Sequence, residues 1–156
     1  MATEEKKTQN RARINEITLV GLAVAVWEFV GESAVALSSQ IGEEILAVLE
    51  KEMGVEIAGE KPEDVLTEIG RVFVDELGFA KSAEVQREGN SLLLIANDCL
   101  TSDVPRRLKE QGVTKYYISP GLNASLAALK RIGVKARGES LPPSKPGEMR
   151  LKFDLL

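Results

Sequence analysis

The sequence predicts an α+β domain: three helices, a β-hairpin, two more helices and a second hairpin. The four strands would form one antiparallel sheet with the helices packed on it. Three observations carry this prediction. Apolar residues recur at helical spacing through the first half of the chain, as in Val35, Leu37, Ile41, Ile45, Val48 and Leu49. The period then drops to two over Ala83-Glu84-Val85-Gln86-Arg87, followed by the turn Glu88-Gly89-Asn90 and an apolar run from Ser91 to Ala96. A second strand pair closes the chain, Val134–Leu141 and Glu148–Leu155, joined by the proline-rich segment Pro142-Pro143-Ser144-Lys145-Pro146-Gly147.

Each element has its own punctuation. Residues 1–13 are polar and charged without an apolar period, which reads as a flexible N-terminal arm ahead of a single domain over 14–156. Ile14 to Val30 is apolar nearly all round, the pattern of a helix with neighbours on several sides. Gly31-Glu32-Ser33 breaks it, and an amphipathic helix follows over about residues 33–53 with Gly54 as its stop. Pro62-Glu63-Asp64 starts a third helix, because proline lacks only an N–H that a first turn leaves unpaired and the two acids meet the positive end of the helix dipole. That helix carries Val65, Leu66, Ile69, Val72, Phe73 and Leu77 to Gly78. Asp103-Val104-Pro105 opens a short helix ending at Gly112, and Ser119-Pro120 opens another ending at Gly133.

Composition excludes several functions. With no histidine among 156 residues, histidine-ligated haem, histidine-ligated zinc and histidine general bases are ruled out. A single cysteine, Cys99, leaves neither an intrachain disulfide nor a cysteine zinc cluster. No metal and no cofactor are expected, and a reduced, cytoplasmic setting fits. The net charge of −4 lacks the cationic surplus with which proteins neutralise phosphates, so nucleic acid is not an expected partner.

The stretch Ile17–Val30 is the most apolar part of the chain, yet its 14 residues include Thr18, Gly21 and Glu28. A spanning helix wants about 20 apolar residues. Glu4, Glu5 and Glu16 dilute any basic leader, and Gly31-Glu32-Ser33-Ala34 is a poor cleavage site. A buried helix is the better reading, with no membrane span expected. A helix this apolar also marks an interface, and a homodimer is expected.

Motifs for catalysis are missing. No glycine pattern stands between a strand and a helix in the dinucleotide arrangement, and there is no phosphate loop. Gly133-Val134-Lys135-Ala136-Arg137-Gly138 runs from helix to strand, the wrong polarity for phosphate capture. Glu43-Glu44 and Glu63-Asp64 read as solvated or dipole-complementing acids rather than general acid and base. Asp98 beside Cys99 is the wrong neighbour for an activated thiolate, and Cys99 reads as a small buried hydrophobe. If Tyr116-Tyr117 is extended, one ring points inward and the other outward.

The order of elements resembles the 4-vinyl reductase domain family, also described as predicted hydrocarbon-binding proteins of archaea and bacteria. The resemblance spans about residues 14–156. It rests on Gly31-Glu32-Ser33-Ala34 with Ile41-Gly42-Glu43-Glu44, on Leu77-Gly78-Phe79-Ala80 leading into a hairpin, and on Tyr117-Ile118-Ser119-Pro120-Gly121-Leu122 opening a helix. Lys135-Ala136-Arg137-Gly138-Glu139 and Arg150-Leu151-Lys152-Phe153 complete it. That family shares its fold with haem-dependent nitric-oxide sensors and with a Golgi transport-particle subunit that holds a fatty acyl chain. Family members often carry cysteines near the Ser119-Pro120 position and in the last hairpin. Those are absent here, so no thiol or metal role carries over.

What the resemblance implies is a pocket for an apolar small molecule between helices and sheet, with Trp27, Ile41, Ile45, Phe73, Leu93, Ile95 and Tyr117 converging on it. Ser38, Gln40, Asn97 and Tyr117 are the candidates for its few polar groups. The expected function is a non-enzymatic binding or sensor domain for a hydrocarbon, acyl chain or tetrapyrrole-like molecule. Two alternatives stand beside it. One is a reductase or accessory factor acting on a vinyl-bearing tetrapyrrole, and the other is a ligand-free interaction module.

Overall fold

The computed structural model describes residues 1–156. Its elements follow the expected order: α1 (Glu4–Val30), a 3₁₀ segment (Gly31–Ala36), α2 (Leu37–Lys51), α3 (Pro62–Arg71), β1 (Ser82–Glu88), β2 (Ser91–Asn97), α4 (Val104–Glu110), α5 (Pro120–Arg131), β3 (Ala136–Leu141) and β4 (Met149–Leu155). The four strands form one antiparallel sheet in the order β1-β2-β4-β3, so the two hairpins meet along β2 and β4.

Local chemistry accounts for the boundaries. Gly31 ends α1 with a φ of 58°, a conformation that a Cβ disfavours, and the chain bends there into the 3₁₀ segment. Pro62 stands in the first turn of α3 with Glu63 and Asp64 behind it. Past Arg71 the helix widens into one π-helical turn, Val72–Glu76. Ser119 caps α5, its hydroxyl accepting from the Leu122 amide at 3.3 Å.

Packing builds the layers. α3 lies on β1 and β2, α5 lies on β3, and α2 packs against α5 from outside. Leu46, Leu66, Ile69, Leu92, Leu129 and Phe153 are fully buried between them, each contributing on the order of 1.5–3 kcal/mol through the hydrophobic effect. Arg131 ties α5 to α2 at its surface end, donating to both Glu50 carboxylate oxygens at 2.7 and 2.8 Å.

α1 belongs to a second, smaller cluster. Ala23 and its neighbours Val20, Val24 and Trp27 pack against Val104 and Leu108 of α4 and against Tyr117. The polar segment expected as an arm is helical from Glu4 onward, with Thr3 capping it by accepting from the Lys6 amide. The continuous helical run Glu4–Lys51 is long and apolar enough to cross a membrane by length and composition alone, more so than the 14 residues Ile17–Val30 indicate. Only 11% of its most apolar stretch is buried in the domain. The paired tyrosines are not extended strand, and both rings turn inward. Tyr117 joins the α1 cluster, whereas Tyr116 packs between the two cores.

Candidate functional site

Between α3 and the core face of the sheet lies a cleft lined by 15 residues, 11 of them hydrophobic. That proportion makes it an apolar site with few polar groups, the usual character of a small-molecule pocket. Ile69, Gly70, Phe73 and Val74 form its helical wall. Ala83 of β1, Leu94 and Ala96 of β2, and Met149 and Leu151 of β4 form its floor. Phe79, Ala80, Cys99, Thr101, Ser119 and Gly121 close the end where the strands meet the loops.

The cleft exists because small residues stand where large ones would fill the space. Gly70, Ala80, Ala83, Ala96 and Gly121 all face it. A Cβ on Gly70 would come within 3.0 Å of the Ala83 Cβ, so the α3 backbone lies close on β1 with no side chain between. The π-helical turn then swings Phe73 and Val74 over the opening, and Phe73 meets Phe79 edge to face with ring centroids 5.4 Å apart.

The empty space is about 450 Å³ counted out to the solvent-facing mouth, but only about 40 Å³ admits the centre of a water-sized sphere. The interior is therefore a narrow slot, roomier than the ~10–15 Å³ needed for one water. Its polar groups are few. Ser119 is committed to capping α5, and the Cys99 thiol lies 3.6 Å from the Thr101 hydroxyl. Burial raises the Tyr116 phenol well above the usual tyrosine value, and its contact with Thr101 partly opposes that. A second cavity, of about 70 Å³, lies among Glu50, Ile57, Val65, Ala128, Arg131 and Ile132, with the Arg131–Glu50 pair among its lining residues.

The seven residues expected at one pocket are divided among four places. Phe73 lines the cleft. Trp27 stacks on Tyr117 with centroids 6.1 Å apart, and Ile41 packs beside them in the α1 cluster. Ile45 packs at the edge of the main core. Leu93 and Ile95 lie on the other face of the sheet. The register sets Leu93 opposite Gln86 and Lys152, and Ile95 opposite Glu84 and Arg150. Both are buried, yet neither belongs to either of the two hydrophobic clusters. The expected polar groups are engaged elsewhere. Ser38 donates to the Tyr117 carbonyl at 3.0 Å, Asn97 donates to the Ser82 hydroxyl at 3.1 Å, and Gln40 donates to Glu44.

The sequence carried a signal for the right strand face. The turn Gly89-Asn90 fixes Val85 opposite Leu94 and Ala83 opposite Ala96, so the apolar side of β1 selects Leu94 and Ala96 over Leu93 and Ile95. Cys99 and Gly70 have no comparable signal, since a loop and helix packing bring them in, and Met149 enters through the pairing of β4 with β2.

No protein-family model and no curated protein matches the chain. Solved structures of similar fold do exist. A trafficking protein particle complex subunit 3 from Naegleria fowleri, described as covalently bound to palmitic acid, aligns with a TM-score of 0.55 at 14% identity, over 92% of this chain and 96% of that one. A Cs H-NOX variant aligns with a TM-score of 0.48 at 11% identity, over 83% of this chain and 67% of that one. An H-NOX mutant of T. tengcongensis gives 0.43 at 10% identity, over 83% and 68%. At 14% identity the likeness to the trafficking subunit shows the fold alone, and a transport-particle subunit of this kind is in the fold group that the order of elements suggests.

Proposed function

We propose that this chain is a non-enzymatic binding or sensor domain of the 4-vinyl reductase type, and that it holds a hydrophobic small molecule in the cleft between α3 and the sheet. The observation that carries the reading is the cleft's lining, 11 hydrophobic residues of 15 with glycine and alanine along its length. Lining of this kind favours a flexible, unbranched apolar chain over a broad ring system, because the slot is narrow and its polar contacts are few. A fold neighbour described as bound to palmitic acid supports an acyl chain as the guest. The functional unit is proposed to be a homodimer, since the outer side of α1 leaves large apolar side chains in water.

Native mass spectrometry of the purified protein, followed by organic extraction, tests the binding reading. A stoichiometric guest with a long alkyl chain supports it. Because Cys99 puts the one thiol of the chain in the cleft wall, mass measurement after denaturation also separates a thioester from a non-covalent guest. The narrow interior favours one competing reading, a ligand-free interaction module, and a protein that carries no guest and takes up no acyl probe would favour it.

A further inference from the structure

We infer that the π-helical turn Val72–Glu76 is the gate of the cleft and that Arg71 latches it; this rests on the binding reading above. In the closed form a water-sized sphere fits within only about 40 Å³ of the slot, and an alkyl chain is thicker than a water molecule. A guest therefore enters only if a wall moves. The floor is fixed. β2 and β4 are the central strands, hydrogen-bonded on both sides, so Leu94, Ala96, Met149 and Leu151 move only with the whole sheet. α3 is fixed as far as Gly70, whose backbone lies on Ala83 with no room between. What remains is the turn beyond Arg71, which carries Phe73 and Val74 over the opening.

The turn is held closed on both of its sides. Its defining bond runs from the Leu77 amide to the Val72 carbonyl at 3.0 Å, five residues back, a looser winding than the α-helix and one found mostly at functional sites. It ends at Gly78, whose φ of 60° gives the chain a hinge that a Cβ would strain. Inside, Phe73 and Phe79 flank that hinge, joined by their edge-to-face rings and by the Phe79 amide donating to the Phe73 carbonyl at 2.7 Å. Outside, Arg71 spans the turn. Its Nε and Nη2 donate to the Glu68 carboxylate at 2.7 to 3.1 Å, and its Nη1 donates to Glu76, the turn's last residue, at 3.0 Å. Parting Arg71 from Glu76 leaves the fork on Glu68 intact and lets both freed groups hydrate, so the latch opens at little cost. Arg71 does not line the cleft, and as a positioning residue it acts through Phe73 and Val74. At the other end of α3, Arg87 pairs with Glu63 and ties the helix to β1, with neither residue in the turn.

Stopped-flow uptake and release of cis-parinaric acid by the full chain test the gate. Arg71→Ala and, separately, Glu76→Gln are expected to speed uptake and release together, each at least about threefold, the scale that one exposed ion pair sets. The dissociation constant should stay within about twofold of the parent's, because the latch closes over the empty and the occupied cleft alike. Arg87→Ala should leave both rates at the parent's values. A role confined to stability would not produce that split between rates and affinity. A parent that binds no probe would overturn the binding reading and the gate with it. Binding by the parent with rates unchanged in Arg71→Ala and Glu76→Gln would overturn the gate alone. So would equal acceleration in Arg87→Ala, or an affinity lost through faster release at unchanged uptake.

Discussion

The Tyr117 hydroxyl donates to the backbone carbonyl of Ala23 at 2.8 Å, and its ring stacks on Trp27 one helical turn further along α1. One side chain from the loop before α5 thus holds the long first helix by a hydrogen bond and by packing. Its own carbonyl accepts from Ser38 at 3.0 Å and from Asn123 at 2.8 Å, which joins α1, α2 and α5 at one residue.

Tyr117→Phe keeps the stacking and removes the hydroxyl bond. The Ala23 carbonyl also lies in the helical ladder, so the loss should be the net value of one hydrogen bond, about 0.5–1.5 kcal/mol. Tyr117→Ala removes the ring as well and should cost about 3–5 kcal/mol. Urea unfolding of both variants checks the ratio, and equal costs would mean that the ring does not hold α1.

Alkaline pH should destabilise the fold. Burial raises both Tyr116 and Tyr117 above the ordinary tyrosine value of about 10. A raised folded value means that the unfolded chain loses its phenolic protons first. The stabilisation is complete below about pH 10 and is lost as pH rises from there toward the folded values. Urea midpoints between pH 8 and about 11.5 should be flat and then fall, and Tyr116→Phe should flatten the fall. A midpoint independent of pH up to the upper limit would show that these phenols ionise freely in the folded chain.

Gly42→Ala should destabilise although alanine is the better helix former. A Cβ at position 42 of α2 would overlap the Asn123 carbonyl of α5 and sit 3.1 Å from the Ala127 Cβ. Overpacking against backbone costs about 1–3 kcal/mol, more than the roughly 1 kcal/mol gained in propensity. An increase in melting temperature would show that α2 and α5 are not in close contact there.

The two faces of β2 should respond differently to the same change. Leu94→Thr puts a hydroxyl into the main core beside Leu151 and should cost about 2–5 kcal/mol, whereas Leu93→Thr faces Gln86 and Lys152 and should cost less than about 1.5 kcal/mol. Neither Leu93→Thr nor Ile95→Thr should alter acyl-probe binding. Equal stability losses at 93 and 94 would contradict the assigned faces.

Chain punctuation made the fold legible. Pro62-Glu63-Asp64, Gly31, the Gly89-Asn90 turn and Ser119-Pro120 each dictate a local backbone state, and each stands at the boundary expected of it. The pocket was legible only in part, because periodicity tells which residues share a face but not what that face meets. Leu93 and Ile95 do share a face, yet it is the polar one, as the register with Glu84 and Gln86 shows. Trp27 is apolar and half-buried, but against α4 and Tyr117 rather than the sheet. Phe73 was found because α3 packs directly on the strands. Cys99 joins it through loop closure, where its amide donates to the Gly147 carbonyl at 2.9 Å, and Met149 joins it from β4 opposite Ala96.

Phe73→Ala should cost less than the ~3–5 kcal/mol of a fully packed phenylalanine, because one side of the ring already borders empty space. Urea unfolding gives that value, and a loss in the full range would mean that the cleft closes around Phe73 in solution.

Titration of a fluorescent fatty acid such as cis-parinaric acid into the parent and into Ala83→Leu tests the cleft most directly. Ala83 faces the slot from edge strand β1 beside Gly70, so leucine there fills the guest's space. The expected result is saturable binding of about one probe per chain at micromolar concentration, weakened at least tenfold in Ala83→Leu, which should still unfold in one cooperative urea transition although overpacking against α3 costs it about 1–3 kcal/mol. Contradiction would be a parent that binds no probe, or a probe bound equally well with the slot filled.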